Sequence, residues 1–477
     1  MKLCPSNMVY RQQRESAAVL IIVLWIAIGL ISIALYFANS MTYELRASDN
    51  RVSGIATQQA IEGAARYVSY ALSAYSTNGA VPQNTQFSCE AVPIGDSHFW
   101  LIGRDPSETA SSDPYFGLVD ECSKLNLNTV TTNTLLYLPN MTEDFADAIV
   151  DWRSTNGNGL YSMNYTSLGY DDKNAPFETV DELRLVYGAT MDLLDGNDPK
   201  HNGILDADVQ VAPAAGGAMN PMSGSSSQIQ PGLLDCFTVY SREPNFITGT
   251  SGSTTLTNVN TATKQQMQSL FESAGVGNAE AVATAIYNYT HPTRGTGGTF
   301  NGILDLCVFC KNAGMSSSDF AKIYPQVTTS AATYIRGRVN INSAGSTVLA
   351  ALFMGIGSDH GVDEGTATSA AQNAINYREQ NASSINSVAW LVDALGATSP
   401  VIQALRRGDY VTARSYQFTA DIAAVGPFGR GYRRVRFVFD TSDGTPRIVY
   451  RRDLSSLGWA LGEKARETWV VNAGNAQ

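Results

Sequence analysis

Residues 17–38 read AAVLIIVLWIAIGLISIALYFA, and this uncharged run decides how the rest of the chain must be arranged. As an α-helix, its 22 residues extend about 33 Å, which matches the hydrocarbon thickness of a bilayer. The polar residues before it include three basic side chains, Lys2, Arg11 and Arg14, and one acid, Glu15. Because basic flanks stay on the cytoplasmic side, we expect a single membrane span with the bulk of the chain on the opposite side.

The apolar pattern continues beyond this run at helical spacing. No proline follows before Pro82, so one helix is predicted from about residue 18 to about residue 75. Its second half carries an apolar stripe that would pack on a folded domain. The stripe consists of Leu45, Val52, Ile55, Ala64, Val68, Ala71 and Leu72.

The composition of the 477-residue chain predicts a folded, acidic protein of two or three domains. Hydrophobic residues make up 44% of the chain, which is enough for a core. The formal net charge of -11 disfavours binding to phosphate backbones. The C-terminal part differs, since residues 406–467 contain 12 basic and 7 acidic side chains.

The cysteines and histidines indicate structural rather than catalytic roles. Among the six cysteines, Cys89 with Cys122 is the first candidate disulfide, and Cys307 with Cys310 is the second. No two of the four histidines have metal-ligand spacing, and the sequence contains no G-x-S-x-G, H-E-x-x-H or Walker motif. We therefore expect a protein that is not an enzyme.

A short Asn-rich segment occurs three times, as KLNLNTV at 124–130, LTNVNTA at 256–262 and RVNINSA at 338–344. Two apolar residues, an Ala-Ile pair and an aromatic residue follow each copy. These are Leu135, Leu138, Ala148-Ile149 and Trp152; Met267, Leu270, Ala285-Ile286 and Tyr289; and Leu349, Leu352, Ala374-Ile375 and Tyr377. The pattern predicts a threefold repeat of a small helical module that opens with an Asn-rich cap.

Each module looks like a helix-hairpin-helix, whose DNA-binding versions offer backbone N–H groups to phosphate. Gly275-Val276-Gly277 and Gly355-Ile356-Gly357 fit such a hairpin, whereas the first copy has LPNMT. Acidic residues stand where DNA binding would need Lys or Arg, namely Glu280, Asp359, Asp363 and Glu364. We therefore favour hairpins that only pack helices, and no nucleic acid is expected as a partner.

After Asp409 the hydrophobic pattern changes to the alternation of strands. ARSYQFTADIAAV, RRVRFVFDTSDG and TPRIVYRRDL alternate, and Ser442-Asp443-Gly444 predicts a turn. These strands should form an antiparallel sheet packed on the N-terminal helix. Their arginines would either be solvated, which is the commoner outcome, or meet an acidic partner.

A basic leader before an uncharged helix resembles the type IV pilin and pseudopilin class. In that class the leader is cut on the cytoplasmic side, which here implies cleavage near Ala17–Ala18; an uncut signal anchor is the alternative. The fifth mature residue would then be Ile22, or Ile21 if the cut falls one residue earlier, where most pilins carry Glu. That carboxylate pairs with the amine of a neighbouring subunit in a fibre, so its absence is typical of a subunit at the tip.

Several blocks of sequence resemble one minor pseudopilin family, general secretion pathway protein K of type II secretion. They lie at residues 119–153, 173–190, 238–245, 337–352 and 453–461. The resemblance covers most of the chain and implies an α+β fold. It consists of a pilin-like long N-terminal helix packed on an antiparallel sheet, with a large inserted helical domain of helix-hairpin-helix or SAM-like repeats.

The expected organisation follows the chain from leader to C-terminal strands. The segments are the prepilin leader (1–17), the transmembrane half of the helix (18–38), the helix continuation and first pilin-like part (39–121), helical repeat 1 (122–195), an acidic loop and low-complexity linker (196–235), a strand and repeat 2 (236–336), repeat 3 (337–408) and the C-terminal pilin-like strands (409–477).

An acidic loop at residues 193–208, LLDGNDPKHNGILDAD, is the candidate metal site. Oxygen-bearing side chains around Gly203 suit calcium, and members of the resembled family hold calcium. Lys200 and the lack of Glu at the twelfth position exclude a standard EF-hand. A solvated acidic loop is the alternative. The candidate ligands are Asp195, Asp198, Asn202, Asp206 and Asp208.

The resemblance implies a minor pseudopilin that joins other minor pseudopilins at the tip of a type II secretion pseudopilus. It would be processed by prepilin peptidase and would lie in the bacterial inner membrane with its bulk in the periplasm. There it would initiate or cap the fibre and contact secreted cargo or the secretion channel. The alternatives are a membrane-anchored helix-hairpin-helix DNA-binding protein of competence type and an anchored hydrolase.

Overall fold

The computed structural model describes residues 9–75, 79–105, 113–155, 159–204, 232–249, 252–293 and 295–471. Within them the predicted α+β arrangement is confirmed. One long N-terminal helix packs on an antiparallel sheet, and a helical domain is inserted between two strands of that sheet. The low-complexity stretch at 209–230 lies outside the described residues.

The helices comprise one very long element and many short ones. They are α1 (Val9–Ser73), α2 (Thr132–Leu135), α3 (Glu143–Trp152), α4 (Ser162–Leu168), α5 (Met191–Asp195), α6 (Leu233–Cys236), α7 (Lys264–Ser273), α8 (Ala279–Thr290), α9 (Ile303–Asn312), α10 (Ser317–Ile323), α11 (Ser346–Gly357), α12 (Glu364–Gln380), α13 (Ala389–Leu395), α14 (Pro400–Leu405) and α15 (Gly462–Arg466).

The strands are short except for three near the C-terminus. They are β1 (Val92–Ile94), β2 (Ser97–Ile102), β3 (Val119–Asp120), β4 (Leu125–Asn126), β5 (Phe237–Thr238), β6 (Arg242–Pro244), β7 (Phe246–Gly249), β8 (Gly252–Thr255), β9 (Thr257–Asn258), β10 (Val327–Thr328), β11 (Tyr334–Arg336), β12 (Val339–Asn340), β13 (Val411–Thr412), β14 (Gln417–Val425), β15 (Tyr432–Asp440) and β16 (Arg447–Asp453).

The main sheet has six strands, in the order β1-β2-β14-β15-β16, with β3 pairing further along β14. All of its neighbouring strands are antiparallel. The central strand β14 is buried at every residue because both faces of the sheet are covered. One face carries Phe418 and Ile422 toward α1, and the opposite face carries Ala423 and Val425.

The contact between α1 and the sheet uses small side chains on both sides. Alanines on the helix face alanines on β14, so the helix backbone can approach the sheet closely. On α1 the buried apolar residues are Ala60, Ile61, Ala64, Ala65, Val68 and Leu72, and the sheet contributes Phe99, Leu101, Phe418, Ala420, Ile422, Ala424, Val435, Phe437 and Phe439. The C-terminal strands therefore pack on the N-terminal helix as the sequence predicts.

The inserted domain, at residues 121–416, contains three copies of one module. Each module starts and ends in two-residue strands that pair in parallel, β4 with β5, β9 with β10 and β12 with β13. A helical hairpin lies between these strands, formed by α2 and α3, by α7 and α8, and by α11 and α12. The three sequence repeats thus coincide with three structural modules.

Two asparagines make equivalent hydrogen bonds at the start of every module. The first accepts the backbone N–H of the second, and the second donates to a carbonyl in the segment after the hairpin. The pairs are Asn126 and Asn128, Asn258 and Asn260, and Asn340 and Asn342, and the carbonyls are those of Phe177, Phe300 and Ile385. These bonds explain why the Asn-rich segment is repeated.

The four cysteines of the predicted disulfides are free thiols, so neither predicted pair is formed. Cys89 Sγ lies 3.5 Å from the carbonyl oxygen of Phe116, and Cys122 Sγ lies 3.6 Å from Oε1 of Gln417. Cys307 and Cys310 are buried one turn apart in α9, where they pack as small apolar side chains. Burial raises the pKa of Cys310 to about 12, which keeps it protonated.

We expect Asn342→Ala to destabilise the chain by about 1–3 kcal/mol, because buried partners lose their hydrogen bonds. Asn342 Nδ2 donates to the carbonyl of Ile385 at 2.9 Å, and its Oδ1 accepts Nε1–H of Trp390 at 2.8 Å. Urea unfolding of the purified chain in detergent measures the change. The exposed Asn386→Ala is the matched control and should stay within about 0.5 kcal/mol of wild type. Equal losses in the two variants would contradict the assigned role.

Candidate functional site

From residue 18 to residue 48, α1 is exposed on every side of the helix. Leu20 is 72% exposed and Trp25 is 73% exposed. The most apolar window of 18 residues has a mean hydropathy of 3.0, and none of it is buried. By length and composition, α1 is the one helix of the described chain that could cross a membrane.

The predicted processing site and fifth mature position lie on this exposed half. The backbone is helical through Ala17 and Ala18, and the side chains of Ala18 and Ile22 are exposed. After Ala18 the first acidic residue of the helix is Glu44. Any subunit packed against residues 18–43 of the helix therefore meets an uncharged surface.

The buried stripe of α1 starts at Ser53, later than predicted. The predicted contact with a domain was wrong for Leu45, Val52 and Ile55, which are exposed. It is confirmed for Ala64, Val68 and Leu72, which are buried against the sheet. The reason is geometric, because the sheet reaches up the helix only as far as the turn between β14 and β15.

Two glycines in that turn allow it to touch the helix. A Cβ atom on Gly426 would lie 2.5 Å from Thr57 Oγ1, and one on Gly431, whose φ is +76°, would lie 2.8 Å from the same oxygen. Arg430 adds an ion pair to Asp49 at 3.1 Å. Above this turn, residues 18–48 project as about 46 Å of helix.

The prediction of a solvated arginine row was wrong for Arg434 of β15, which is buried, but Arg447 and Arg451 of β16 are exposed as predicted. Arg434 is 0% exposed and pairs with both carboxylate oxygens of Asp421 at 2.8 Å. Arg436 donates to the same carboxylate at 2.8 Å. Arg434 also donates to the carbonyls of Lys200 and His201. The acidic partner of these arginines is thus in the same chain, under the loop predicted to bind calcium.

Three of the five predicted calcium ligands lie in the described part of the chain, where protein groups bind them. Asp198 accepts the backbone N–H groups of Asn202 and Gly203 at 3.1 and 2.7 Å. Asp195 accepts a hydrogen bond from Arg184 at 3.1 Å. Burial raises the pKa of Asp195, but the bonds and charges of His201 and Arg184 outweigh it and lower the pKa overall.

The other two predicted ligands, Asp206 and Asp208, lie outside the described residues. Among the residues that are described, no group of three or more His, Cys, Asp or Glu side chains is placed to hold a metal ion. Calcium binding by this loop therefore stays a prediction.

A cavity of about 410 Å³ lies between the sheet and the inserted domain, and no sequence pattern indicated it. Its walls carry equal numbers of basic and acidic side chains. They are Arg104, Lys124, Arg184, Arg436 and Arg452 against Glu121, Asp181, Asp195, Asp235 and Asp421. Several of them pair directly, including Arg104 with Asp235 at 3.1 Å and Lys124 with Glu121 at 2.7 Å. The lining therefore has no excess charge that would attract an ionic ligand, and the Arg104–Asp235 pair joins the inserted domain to the loop after β2.

The glycine hairpins do not present a basic surface. A Cβ on Gly355 would lie 2.3 Å from Cα of Thr134 in α2, so the third hairpin packs against the first module. Gly275 and Gly277 are exposed, but the side chain of Glu280 beside them is exposed as well. These surroundings favour the helix-packing interpretation over phosphate binding.

The Asp421–Arg434 pair predicts a pH-dependent stability. Burial raises the pKa of Asp421, but the charges of Arg434 and Arg436 outweigh it and hold the pKa well below its usual value. A lowered pKa stabilises the fold above the unfolded-state value near 4, and the contribution is lost as pH falls below it. We expect Asp421→Asn to be less stable by about 3–5 kcal/mol at pH 7, because a buried guanidinium loses its partner.

Urea unfolding at pH 7 and at pH 3 checks this expectation, since the difference between wild type and Asp421→Asn should shrink at pH 3. Asp359→Asn is the control, because Asp359 is exposed and its loss should change stability by less than about 0.5 kcal/mol. A difference of the same size at both pH values would show that the carboxylate charge of Asp421 is unimportant.

Comparison with known proteins does not assign this chain to a family. No family model matches the sequence, and no curated protein matches it. One solved chain, from the crystal structure of the GspK-GspI-GspJ complex of the enterotoxigenic Escherichia coli type 2 secretion system, aligns with 86% of this chain and 99% of its own length. The identity is 11% and the TM-score is 0.37, which does not establish a shared fold.

Proposed function

We propose that this chain is a minor pseudopilin of protein K type, located at the tip of a type II secretion pseudopilus. The observation that carries the proposal is the division of α1 into two halves. One half is apolar and exposed on all sides, and the other is packed on an antiparallel sheet. A subunit of this shape can leave a membrane and bundle its helix with those of its neighbours without refolding.

The exposed half of α1 supplies the membrane anchor in this proposal. Residues 18–48 project about 46 Å beyond the folded domain, which is enough for a bilayer core and its interface. The basic leader would stay in the cytoplasm until prepilin peptidase removes it between Ala17 and Ala18. The sheet and the inserted domain would then lie in the periplasm, anchored in the bacterial inner membrane.

The tip position follows from the charge pattern of the same helix. After cleavage the fifth residue is Ile22, and the first acid, Glu44, lies about 39 Å along the helix from the new amine. A neighbouring subunit's amine would find no carboxylate beside it in the apolar bundle. An unpaired buried charge costs several kcal/mol, so packing a further subunit beyond this one is unfavourable.

The inserted domain would act by binding other proteins and not by catalysing a reaction. It would present three linked helical modules to other minor pseudopilins, to the secretion channel or to secreted cargo. We do not propose the DNA-binding alternative, since Gly355 packs against Thr134 and the second hairpin is flanked by acidic side chains.

The position in the fibre is tested by immunogold labelling of pseudopili from cells that overproduce the major subunit. Wild-type chain should label fibre ends, and Ile22→Glu should add label along the shaft, because the new carboxylate can pair with a neighbouring amine. Ile22→Leu, which keeps the position uncharged, should label ends only. Shaft labelling by the wild type would refute the tip assignment.

Calcium binding at the 193–208 loop is proposed as an accessory property. Calorimetric titration of the purified chain with CaCl₂ should show binding that Asp206→Asn together with Asp208→Asn abolishes. These two are preferred to Asp198, whose carboxylate already accepts two backbone N–H groups of its own loop. The absence of binding heat in the wild type would end the proposal.

A further inference from the structure

The two edges of the main sheet differ in how they are protected. The first edge, β1, has three residues with Pro93 at its centre. Short length and proline are the features by which natural sheets avoid pairing with another chain. The second edge, β16, has seven residues and no proline. A β-bulge at Val449 interrupts β16, so its regular edge runs from Tyr450 to Asp453. One edge of this sheet is therefore closed to further strands, and the other is open over these four residues.

Strand β16 also exposes apolar side chains. Ile448 is 50% exposed and Val449 is 46% exposed. Within the described part of the chain, β16 pairs with β15 on one side and no strand pairs with its outer side. An open edge with exposed β-branched residues is an aggregation hazard unless something covers it.

The backbone of β16 has a defined outer side. Leu454 N donates to the carbonyl of Arg434, so Leu454 faces β15. Because residues of an antiparallel strand alternate between bonding one neighbour and the other, Arg451 and Asp453 point their N–H and C=O groups outward. These groups are available to an additional strand.

The charges along this edge select the kind of strand that fits. The sequence RIVYRRD carries three arginines and one aspartate. An antiparallel pair of two β16 strands centred on Arg451, whose N–H and C=O groups face outward, would place arginine opposite arginine, which is unfavourable. An acidic extended segment would complement them instead. Arg447 and Arg451 are at least half exposed in their ion pairs with Asp443 and Glu62, so these pairs are weak enough to be exchanged.

The location of the edge suggests which molecule supplies the segment. Arg451 pairs with Glu62 on α1, so the open edge lies beside the packed half of the helix. In the proposed function, neighbouring subunits align their helices along α1. We infer that β16 receives an acidic, extended segment of a neighbouring minor pseudopilin as a seventh strand of the sheet. This inference rests on the proposed function and adds the surface by which the partner is held.

The test uses the full chain, produced with the other pseudopilins of its own secretion system and purified in detergent. Hydrogen exchange should slow at the Arg451 and Asp453 amides in the complex relative to the chain alone. A photoreactive residue at position 449 should crosslink to a partner segment with net negative charge.

A matched pair of variants separates the backbone from the side chain. Arg451→Pro removes the outward N–H and the guanidinium, whereas Arg451→Ala removes the guanidinium alone. We expect Arg451→Pro to lose about tenfold in partner recovery relative to Arg451→Ala, the effect of one hydrogen bond of about 1.4 kcal/mol.

The outcomes are distinguishable. If the wild type recovers no partner at all, the proposed function fails, and this inference falls with it. If partners are recovered but the two amides exchange at unchanged rates, or the two variants recover partners equally, only the added strand is refuted. If the two amides are already protected from exchange in the isolated chain, or if position 449 crosslinks to a second copy of this chain, the choice of an acidic partner is overturned. Because exchange is measured on wild type, the test does not depend on the proline variant folding.

Discussion

The close contact between alanines of α1 and alanines of β14 determines how far along the long helix the folded domain makes contact, and therefore where the helix becomes exposed. A helix that carried large side chains at positions 60, 64 and 65 would stand off the sheet, and the turn at Gly426 and Gly431 would no longer reach Thr57. In the described part of the chain, that turn makes the last contact between the domain and the helix before the exposed apolar segment. The same small residues that build the core thus define how much of α1 can lie in lipid and how much belongs to the domain.

Buried ion pairs and the hydrogen bonds of their members hold the inserted domain to the N-terminal helix and the main sheet. Asp421 on the sheet binds Arg434, which in turn binds carbonyls of the 193–208 loop. On the other side of the insert, Arg242 pairs with the buried Asp440 of β15 at 2.5 Å. Charges of this kind add little net stability, but breaking one is costly because its partner stays buried. The pairs therefore favour one orientation of the insert over others that apolar packing alone would permit.

The elements set by local pattern were predictable, and those set by distant partners were not. Alternation located β14 to β16, and the repeated asparagines located the three modules, since each module makes the same local bonds. Arg434 looks like a surface residue, because the carbonyls of residues 200 and 201 that it binds are far away in sequence. The start of the buried stripe on α1 was also missed, since it depends on how far a sheet turn reaches. Cys307 and Cys310 suggested a covalent pair, yet they serve as core packing.

The parallel pairing of the first and last strands in each module has an evolutionary consequence. In β4 with β5, β9 with β10 and β12 with β13, the chain leaves a module beside the point where it entered. Adding or deleting a whole module then shifts the path of the remaining chain by little more than one strand width, about 5 Å. Gene duplication can enlarge this domain stepwise while the helix and sheet beneath it keep their geometry.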